Sequence, residues 1–252
     1  MRFLGFLLFL FFAAPAYADM AEARSAYEQG HWQAAAAYAQ RAGGADGYAF
    51  AAGSLIAQLM VEPDHPDREA LARRALELAE YAYELDGEHV EARLRLAGAL
   101  GFRGRYMSAF RAYVQRMPHR GKRLIEDAVE ADPDNAWAVG MLGAWHLEVA
   151  RRGGQRGLNA LDASVEAGIG FYTHAIAMEP ENPAPRFFLA VALLALDEPA
   201  YYDMAREQVE ICLQIEAGDA FEQGIQSEAD VLRSMIDDRR RATAWADDRM
   251  RR

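Results

Sequence analysis

One helix ending recurs three times in this chain of 252 residues, and the repetition limits the folds that the chain can adopt. Each copy has an alanine among apolar residues, then an acidic residue, then proline or glycine, then a polar turn. The copies are residues 82–89 (AYELDGEH), 128–135 (AVEADPDN) and 175–182 (AIAMEPEN). Because proline and glycine end helices, each copy predicts the point where one helix stops and the next begins.

The composition agrees with an all-α chain. Alanine, leucine, glutamate and arginine dominate, whereas the strand-favouring residue threonine occurs only at Thr173 and Thr243. Hydrophobic residues make up 52% of the sequence, which is ample for a buried core.

The residues around these endings resemble the tetratricopeptide repeat (TPR) family. Counted from Val90, seven characteristic positions of that repeat are occupied by Leu96, Ala97, Leu100, Gly104, Tyr106, Ala109 and Tyr113. A first repeat is matched by Ala23, Gly30, Trp32, Ala35 and Ala42, and further repeats begin around Trp137 and Leu189. The resemblance covers residues 19–218, and it implies a right-handed solenoid of four or five helical hairpins whose small residues allow close helix packing.

The period departs from that of the family. Gly87, Pro133 and Pro180 lie 46 and then 47 residues apart, against about 34 in the standard repeat. We place the extra residues at 116–123, where Pro118 and Gly121 are expected to break a helix, and at 151–157, a glycine-rich turn.

Both ends of the chain have distinct compositions. Residues 1–18 predict a signal peptide, with Arg2, an apolar run at 3–12 and a small-residue cleavage pattern ending at Ala18. An uncleaved anchor is the alternative, although its apolar run is shorter than the roughly 20 residues of a spanning helix. The prediction is therefore an exported bacterial protein of the periplasm. Residues 219–252 predict a solvent-facing C-terminal capping helix, with Ser227 as its N-cap.

No pattern of catalytic or metal-binding residues stands out. The six histidines are dispersed, so neither a metal nor a cofactor is expected, and His146 and Cys212 are interpreted as core residues. The net charge of −11 argues against nucleic-acid binding, which needs a broadly basic surface.

A local positive charge stands out against that acidic background. Residues 101–123 contain seven arginines and lysines and no acid. Stacked repeats would bring this segment beside a second basic turn, which gives a predicted basic edge of Arg103, Arg105, Arg151, Arg152 and Arg156. Our hypothesis is that this edge contacts an anionic surface, either lipid headgroups or an acidic protein patch. The alternative is an ordinary solvated face paired with neighbouring acids.

The TPR resemblance also implies a concave groove lined by the first helix of each hairpin. By position, the predicted groove residues are Leu94, Phe102, Trp137, Met141, Glu148, Phe187 and Val191. Trp137, Met141 and Phe187 have the large side chains that grip a peptide or helix. Burial between helices is the alternative for these three residues.

The predicted function is that of a non-enzymatic periplasmic adaptor or scaffold, which binds a protein or peptide partner in this groove. One alternative is a small-ligand component similar to the T-component of TRAP-type import systems, which would need a deep apolar pocket. Another is a hydrolase, which would need two carboxylates about 5 to 10 Å apart in a pocket. The residues predict no oligomeric state.

Overall fold

The computed structural model describes residues 14–252, with side chains from Ala18 onward. Residues 1–13 of the predicted signal peptide lie outside the described residues, and residues 14–18 begin the first helix. The described chain forms thirteen α-helices and has no β-strand in residues 14–252. Their bounds are α1 (Ala14–Glu28), α2 (Trp32–Ala42), α3 (Gly44–Val61), α4 (Arg68–Leu85), α5 (Val90–Arg105), α6 (Ala109–Val114), α7 (Met117–Ala131), α8 (Ala136–Leu161), α9 (Val165–Met178), α10 (Pro183–Ala195), α11 (Tyr202–Cys212), α12 (Ala220–Arg233) and α13 (Arg239–Arg251).

Ten of these helices form five stacked hairpins. The pairs are α1 with α2, α3 with α4, α5 with α7, α8 with α9, and α10 with α11, while the short helix α6 packs on α7. Each hairpin also contacts the next, and two large apolar clusters, which meet at Met60, fill the stack. The predicted all-α solenoid of helical hairpins is confirmed.

The three recurring endings occupy equivalent places in the stack. Asp86, Asp132 and Glu179 end α4, α7 and α9, and their backbone N–H groups donate to the carbonyls of Ala82, Ala128 and Ala175. The polar residue that closes each ending then caps the following helix: the side chains of His89, Asn135 and Asn182 accept N–H bonds at the starts of α5, α8 and α10. These endings therefore mark the junctions between hairpins, as predicted.

Close helix approach depends on glycine at the fourth hairpin. A Cβ atom added to Gly143 of α8 would lie 2.7 Å from the Tyr172 ring and 2.8 Å from the Gly168 carbonyl oxygen. A Cβ on Gly168 would in turn lie 2.8 Å from Leu147. The two helices are therefore closer than alanine would allow.

The predicted positions of the extra residues are wrong in detail. The chain breaks before α7, at Arg116, whose φ of 56° is left-handed, whereas Pro118 and Gly121 lie inside α7. Pro118 is tolerated there because the first helical turn needs no N–H donor. The second expected turn, residues 151–157, is instead a kink at Gly154 (φ 52°, ψ −153°), and α8 continues to Leu161.

The C-terminal region is not one solvent-facing helix but two packed helices. Asp219 caps α12 by accepting the Glu222 N–H at 2.9 Å, whereas Ser227 lies inside that helix. Helix α12 packs on α1, α3, α10 and α11, and α13 packs on α10. Helix α13 is rich in charged residues, but it also has an apolar stripe of Ala242 and Ala246, both 0% exposed. Because of this stripe, the helix packs against the protein and does not face solvent on all sides.

Candidate functional site

The chain's own C-terminal helices cover a face to which the first helices of three hairpins contribute, namely α1, α3 and α10. Helix α12 contacts α1, α3 and α10, which are far apart in sequence. The approach is close: a Cβ atom on Gly224 would lie 2.7 Å from Val61 Cβ, and one on Gly30 would lie 3.1 Å from Ala220 Cβ. We call this face the concave groove.

Two predicted groove residues grip these C-terminal helices. The ring of Trp137 meets Phe221 of α12 edge to face, with centroids 6.3 Å apart. Phe187 meets Trp245 of α13 at 6.4 Å, and the Arg249 guanidinium lies 5.7 Å from the Phe187 ring centroid. Both side chains thus bind helices, as the groove hypothesis requires, but the helices belong to the same chain.

The other predicted groove residues do not form an open binding surface. Leu94, Phe102 and Val191 are 0%, 4% and 2% exposed, as buried as Phe187 at 1%. Leu94 packs between hairpins, where Met141 is half-buried beside it. The groove prediction is therefore wrong for Leu94, Phe102 and Val191, because their side chains are buried in the core.

Glu148 and the basic edge are occupied by internal contacts. Arg151 donates to both carboxylate oxygens of Glu148, at 2.8 and 2.9 Å, and to Asp247 of α13 at 3.0 Å. Arg103 pairs with Glu69 at 3.2 Å. These contacts join α8 to α13 and α5 to α4.

Two further arginines of the edge also contact groups of this chain, and Arg152 joins the third and fourth hairpins. Arg152 of α8 donates to the carbonyls of Gly104 and Met107, at 3.0 and 2.8 Å. Arg105 lies 4.3 Å from the Phe102 ring centroid, and burial lowers the pKa of Arg105 to about 10. The guanidinium therefore stays charged at neutral pH.

The predicted basic edge is thus mainly structural. Arg103, Arg105, Arg151 and Arg152 are partly buried and bind groups of this chain, which agrees with the alternative of paired charges. Arg156 remains exposed, beyond the kink of α8.

The groove is open at its N-terminal end. A cavity of about 1060 Å³ lies between α1, α3 and α5. Tyr27 and Phe50 meet there edge to face at 5.6 Å, and burial raises the pKa of Tyr27 to about 12. The remaining lining residues are Met20, Ala21, Arg24, Ser25, Glu28, Ala42, Gly43, Asp46, Ala49, Gly53, Ser54, His89, Glu91 and Arg95. We call this cavity the open half-groove.

The open half-groove leads directly to the part that α12 fills. Tyr27, Gly53 and Arg95 line both this cavity and a smaller one of about 190 Å³, which reaches Trp137 and Phe221. Aromatic side chains therefore continue along the groove from α1 to α12.

Two carboxylates of the open half-groove are paired with basic side chains. Asp46 contacts His89 at 2.8 Å, and Glu91 accepts from Arg95 at 2.6 Å. Each of these carboxylates already has a basic partner, unlike the two converging acids that a hydrolase of the predicted kind would need.

Other residues that the sequence singled out have structural contacts. His146 stacks on Phe171 at 5.6 Å and accepts the Ser164 N–H at 3.2 Å, and burial lowers its pKa. Cys212 is 0% exposed, and burial raises the pKa of its thiol to about 12. Within residues 14–252, no three histidine, cysteine or acidic side chains converge as a metal site would require. No helix in this part of the chain combines the length and apolarity that crossing a bilayer demands.

A protein family and a solved structure are similar to this chain. The family model described as "RMD1-3: Regulator of microtubule dynamics protein 1-3" matches residues 48–236. No curated protein sequence matches the chain significantly. A solved structure of a thermophilic TPR protein from Thermus thermophilus is similar, with a TM-score of 0.61 and 17% sequence identity, over 86% of this chain and 99% of that one. This likeness shows that the fold is TPR-like.

Proposed function

The chain belongs to the regulator of microtubule dynamics protein 1-3 family, and from this premise we propose that it is a non-enzymatic scaffold whose open half-groove binds a helix of a partner protein. The TPR-like solenoid suggests a protein-interaction scaffold, because stacked hairpins present a long concave surface without a chemical centre. The family description names regulation of microtubule dynamics, which agrees with a protein partner.

The observation that supports this proposal most directly is the position of α12. This helix lies on α1, α3 and α10 and inserts Phe221 beside Trp137, as a bound helix of a partner would. The concave face therefore accommodates an amphipathic helix. The open half-groove continues from that point, so a second helix can bind beside the first.

The side chains of the open half-groove indicate the chemistry of that second helix. Tyr27 and Phe50 offer an aromatic surface for its apolar face. Arg24 and Glu28 are exposed on α1, and Arg95 is half-buried opposite them on α5. We expect a partner helix with both acidic and basic residues beside its apolar stripe.

We further propose that the scaffold works in the periplasm after cleavage behind Ala18. Asp19 accepts from Arg41 at 2.6 Å, a contact between α1 and α2. A mature chain that begins at Asp19 would keep this contact, so cleavage there is compatible with the first hairpin. Intact mass of the protein secreted by its natural host tests the cleavage site, and retention of residues 1–18 would refute it.

Site-specific photo-crosslinking tests the groove proposal. We would place benzoylphenylalanine at Ser25 or Asp46, which line the open half-groove, or at Glu77, which is exposed on α4 outside it. We expect one protein adduct from the first two positions and none from Glu77 when the crosslinking is done in envelope extracts of the natural host.

A charge reversal identifies the contact as specific. Arg24→Glu should reduce the adduct from Ser25, while Arg74→Glu, at an exposed site on α4, should leave it unchanged. Equal adducts from Glu77 and Ser25, or no adduct from either groove position, would refute the proposed site.

A further inference from the structure

A second cavity lies on another part of the molecule and has a different chemistry. It has a volume of about 640 Å³ and opens between α5, α6, α7 and the end of α8. Its walls include the apolar residues Leu100, Tyr113, Met117, Ile125, Trp145 and Val149. The size and lining match those of small-molecule sites, which are mostly apolar with a few polar groups. We call it the α6 cleft.

Aromatic side chains on α6 remain uncovered at this cleft. Phe110 is 78% exposed and Tyr113 is 44% exposed, although both line the cavity. Ala112 fixes the helix to the body of the protein by its buried methyl group. An apolar ligand in the cleft would remove the two rings from water, which is favourable in proportion to the area covered.

Glycine keeps the cleft wide. Five glycines line it, namely Gly101, Gly104, Gly121, Gly153 and Gly157. A Cβ atom added to Gly101, Gly121 or Gly153 would meet no atom within 4 Å. Glycine is less favourable than alanine inside helices, so these three glycines lower helix stability. Larger side chains would fit at the same positions, but they would fill the cleft.

The mouth of the cleft is positively charged in a protein whose net charge is −11. Arg156 is exposed at the rim, and Arg152, whose guanidinium binds the Gly104 and Met107 carbonyls, also lines the cleft. Glu148 is the acid among the lining residues, and its carboxylate is already bound by Arg151 at 2.8 and 2.9 Å. The net field at the rim therefore attracts an anion.

We propose that the α6 cleft binds a long-chain carboxylate, with its alkyl chain along Leu100, Met117 and Trp145 and its carboxylate at Arg156. This site is separate from the open half-groove, and it does not depend on the scaffold function. Charge and shape together identify the ligand: the apolar walls suit an alkyl chain, and the single exposed guanidinium at the rim suits one acidic head group.

A free amphiphile fits the cleft better than a membrane surface does. Ile125 is 4% exposed and Trp145 is half-buried, so both lie deep in the cleft, beyond the reach of a flat bilayer. A bilayer would instead contact the protruding residues of α6, including Val114, which is 62% exposed and does not line the cleft. Val114 therefore separates the two modes of binding.

Quenching of tryptophan fluorescence by 12-bromododecanoate, below its micelle concentration, tests the proposal on the full-length mature protein. We expect saturable quenching that Trp145→Phe removes, because Trp32 lies in the core and Trp137 and Trp245 pack against other helices. Gly121→Leu should abolish it by filling the cleft, and circular dichroism would verify that this variant is folded. Persistent quenching in Trp145→Phe, or in folded Gly121→Leu, would overturn the proposal.

Two further comparisons remain informative even if Gly121→Leu does not fold. Arg156→Gln should weaken binding of the carboxylate about fivefold at low salt and leave 12-bromododecanol unaffected, as expected for one exposed charge. Val114→Ser should change neither the binding of the carboxylate nor that of 12-bromododecanol. Equal weakening by Val114→Ser and Phe110→Ser, or binding only to anionic vesicles, would show that α6 docks on a bilayer and would overturn the cleft assignment.

Discussion

Replacement of Arg249 by methionine should detach the C-terminal helices from the groove. Arg249 is 7% exposed, and its Nε lies 3.0 Å from Glu228 of α12. Its guanidinium also donates to the Met60 carbonyl at the end of α3 and covers the Phe187 ring. One side chain thus joins α13 to α3, α10 and α12.

The expected loss of stability follows from the carboxylate that the substitution leaves without a partner. Methionine keeps most of the apolar contact with Phe187, but Glu228, 17% exposed, loses its cationic partner. Removing one member of a buried ion pair costs about 3 to 5 kcal/mol. Because Glu228 retains some exposure, we expect a loss near the lower limit, about 3 kcal/mol in the free energy of unfolding.

The loss should depend on pH in a defined direction. Burial raises the pKa of Glu228, while Arg249 lowers it, so the substitution raises this pKa further in the folded state. A carboxyl whose pKa is higher in the folded than in the unfolded state takes up a proton on folding, which favours the folded state as the pH falls. The deficit should therefore be largest at pH 8 and smaller at pH 5.

Urea unfolding followed by circular dichroism measures these quantities. Arg251→Gln is the matched control, because Arg251 is 69% exposed and its pair with Asp247 is a surface contact worth less than about 0.5 kcal/mol. Glu228→Gln in the Arg249→Met background should recover most of the loss. A deficit below about 1 kcal/mol, a deficit independent of pH, or no recovery would refute the reasoning.

Three further predictions follow from the packing of single residues. Gly143→Ala should lower the free energy of unfolding by about 1 to 3 kcal/mol, since the added Cβ would lie 2.7 Å from Tyr172. The control Gly170→Ala, whose Cβ would meet no atom within 4 Å, should be neutral or stabilising. Thermal denaturation measures both variants. Asn135→Ala should lower the free energy of unfolding by about 1 kcal/mol, because it removes the 3.0 Å hydrogen bond by which the Asn135 side chain caps the Ala138 N–H. Urea titration measures this change, and an unchanged unfolding midpoint would contradict it. Cys212 should react with a thiol reagent only after unfolding, since its side chain is buried and its pKa is about 12; fast labelling of the native protein would contradict the buried placement.

The hairpin junctions were predictable because their causes are local. Each combines a helix-stopping Pro or Gly with a capping side chain a few residues later, and such short-range patterns are visible in sequence. The break falls at Arg116, within the segment predicted for the first insertion, but nothing in the residue type of Arg116 predicts its left-handed backbone. Pro118 indicated a break, but it lies in the first turn of α7, where proline is favoured.

The groove could be predicted only in part, because its covering helices come from distant sequence. Trp137 and Phe187 were recognised as residues that grip a helix, whereas their partners Phe221 and Trp245 carry no signal of where they dock. Arg249 and Met60 are 189 positions apart. The same holds for the basic edge, where Asp247, a partner of Arg151, is 96 positions away. The capping residue Asp219 and the stripe of Ala242 and Ala246 were the available signs of two packed helices.

The docking of α12 and α13 onto earlier repeats affects the order in which the protein is completed. Most repeats need only their sequence neighbours, so the hairpins from α1 to α11 can stack before α12 and α13 dock. The apolar face beside Trp137 and Phe187 stays uncovered until the last 34 residues are made. Until then, the partly folded chain exposes a larger apolar surface than the finished protein, and a chaperone that recognises exposed aromatic residues would bind it at that stage.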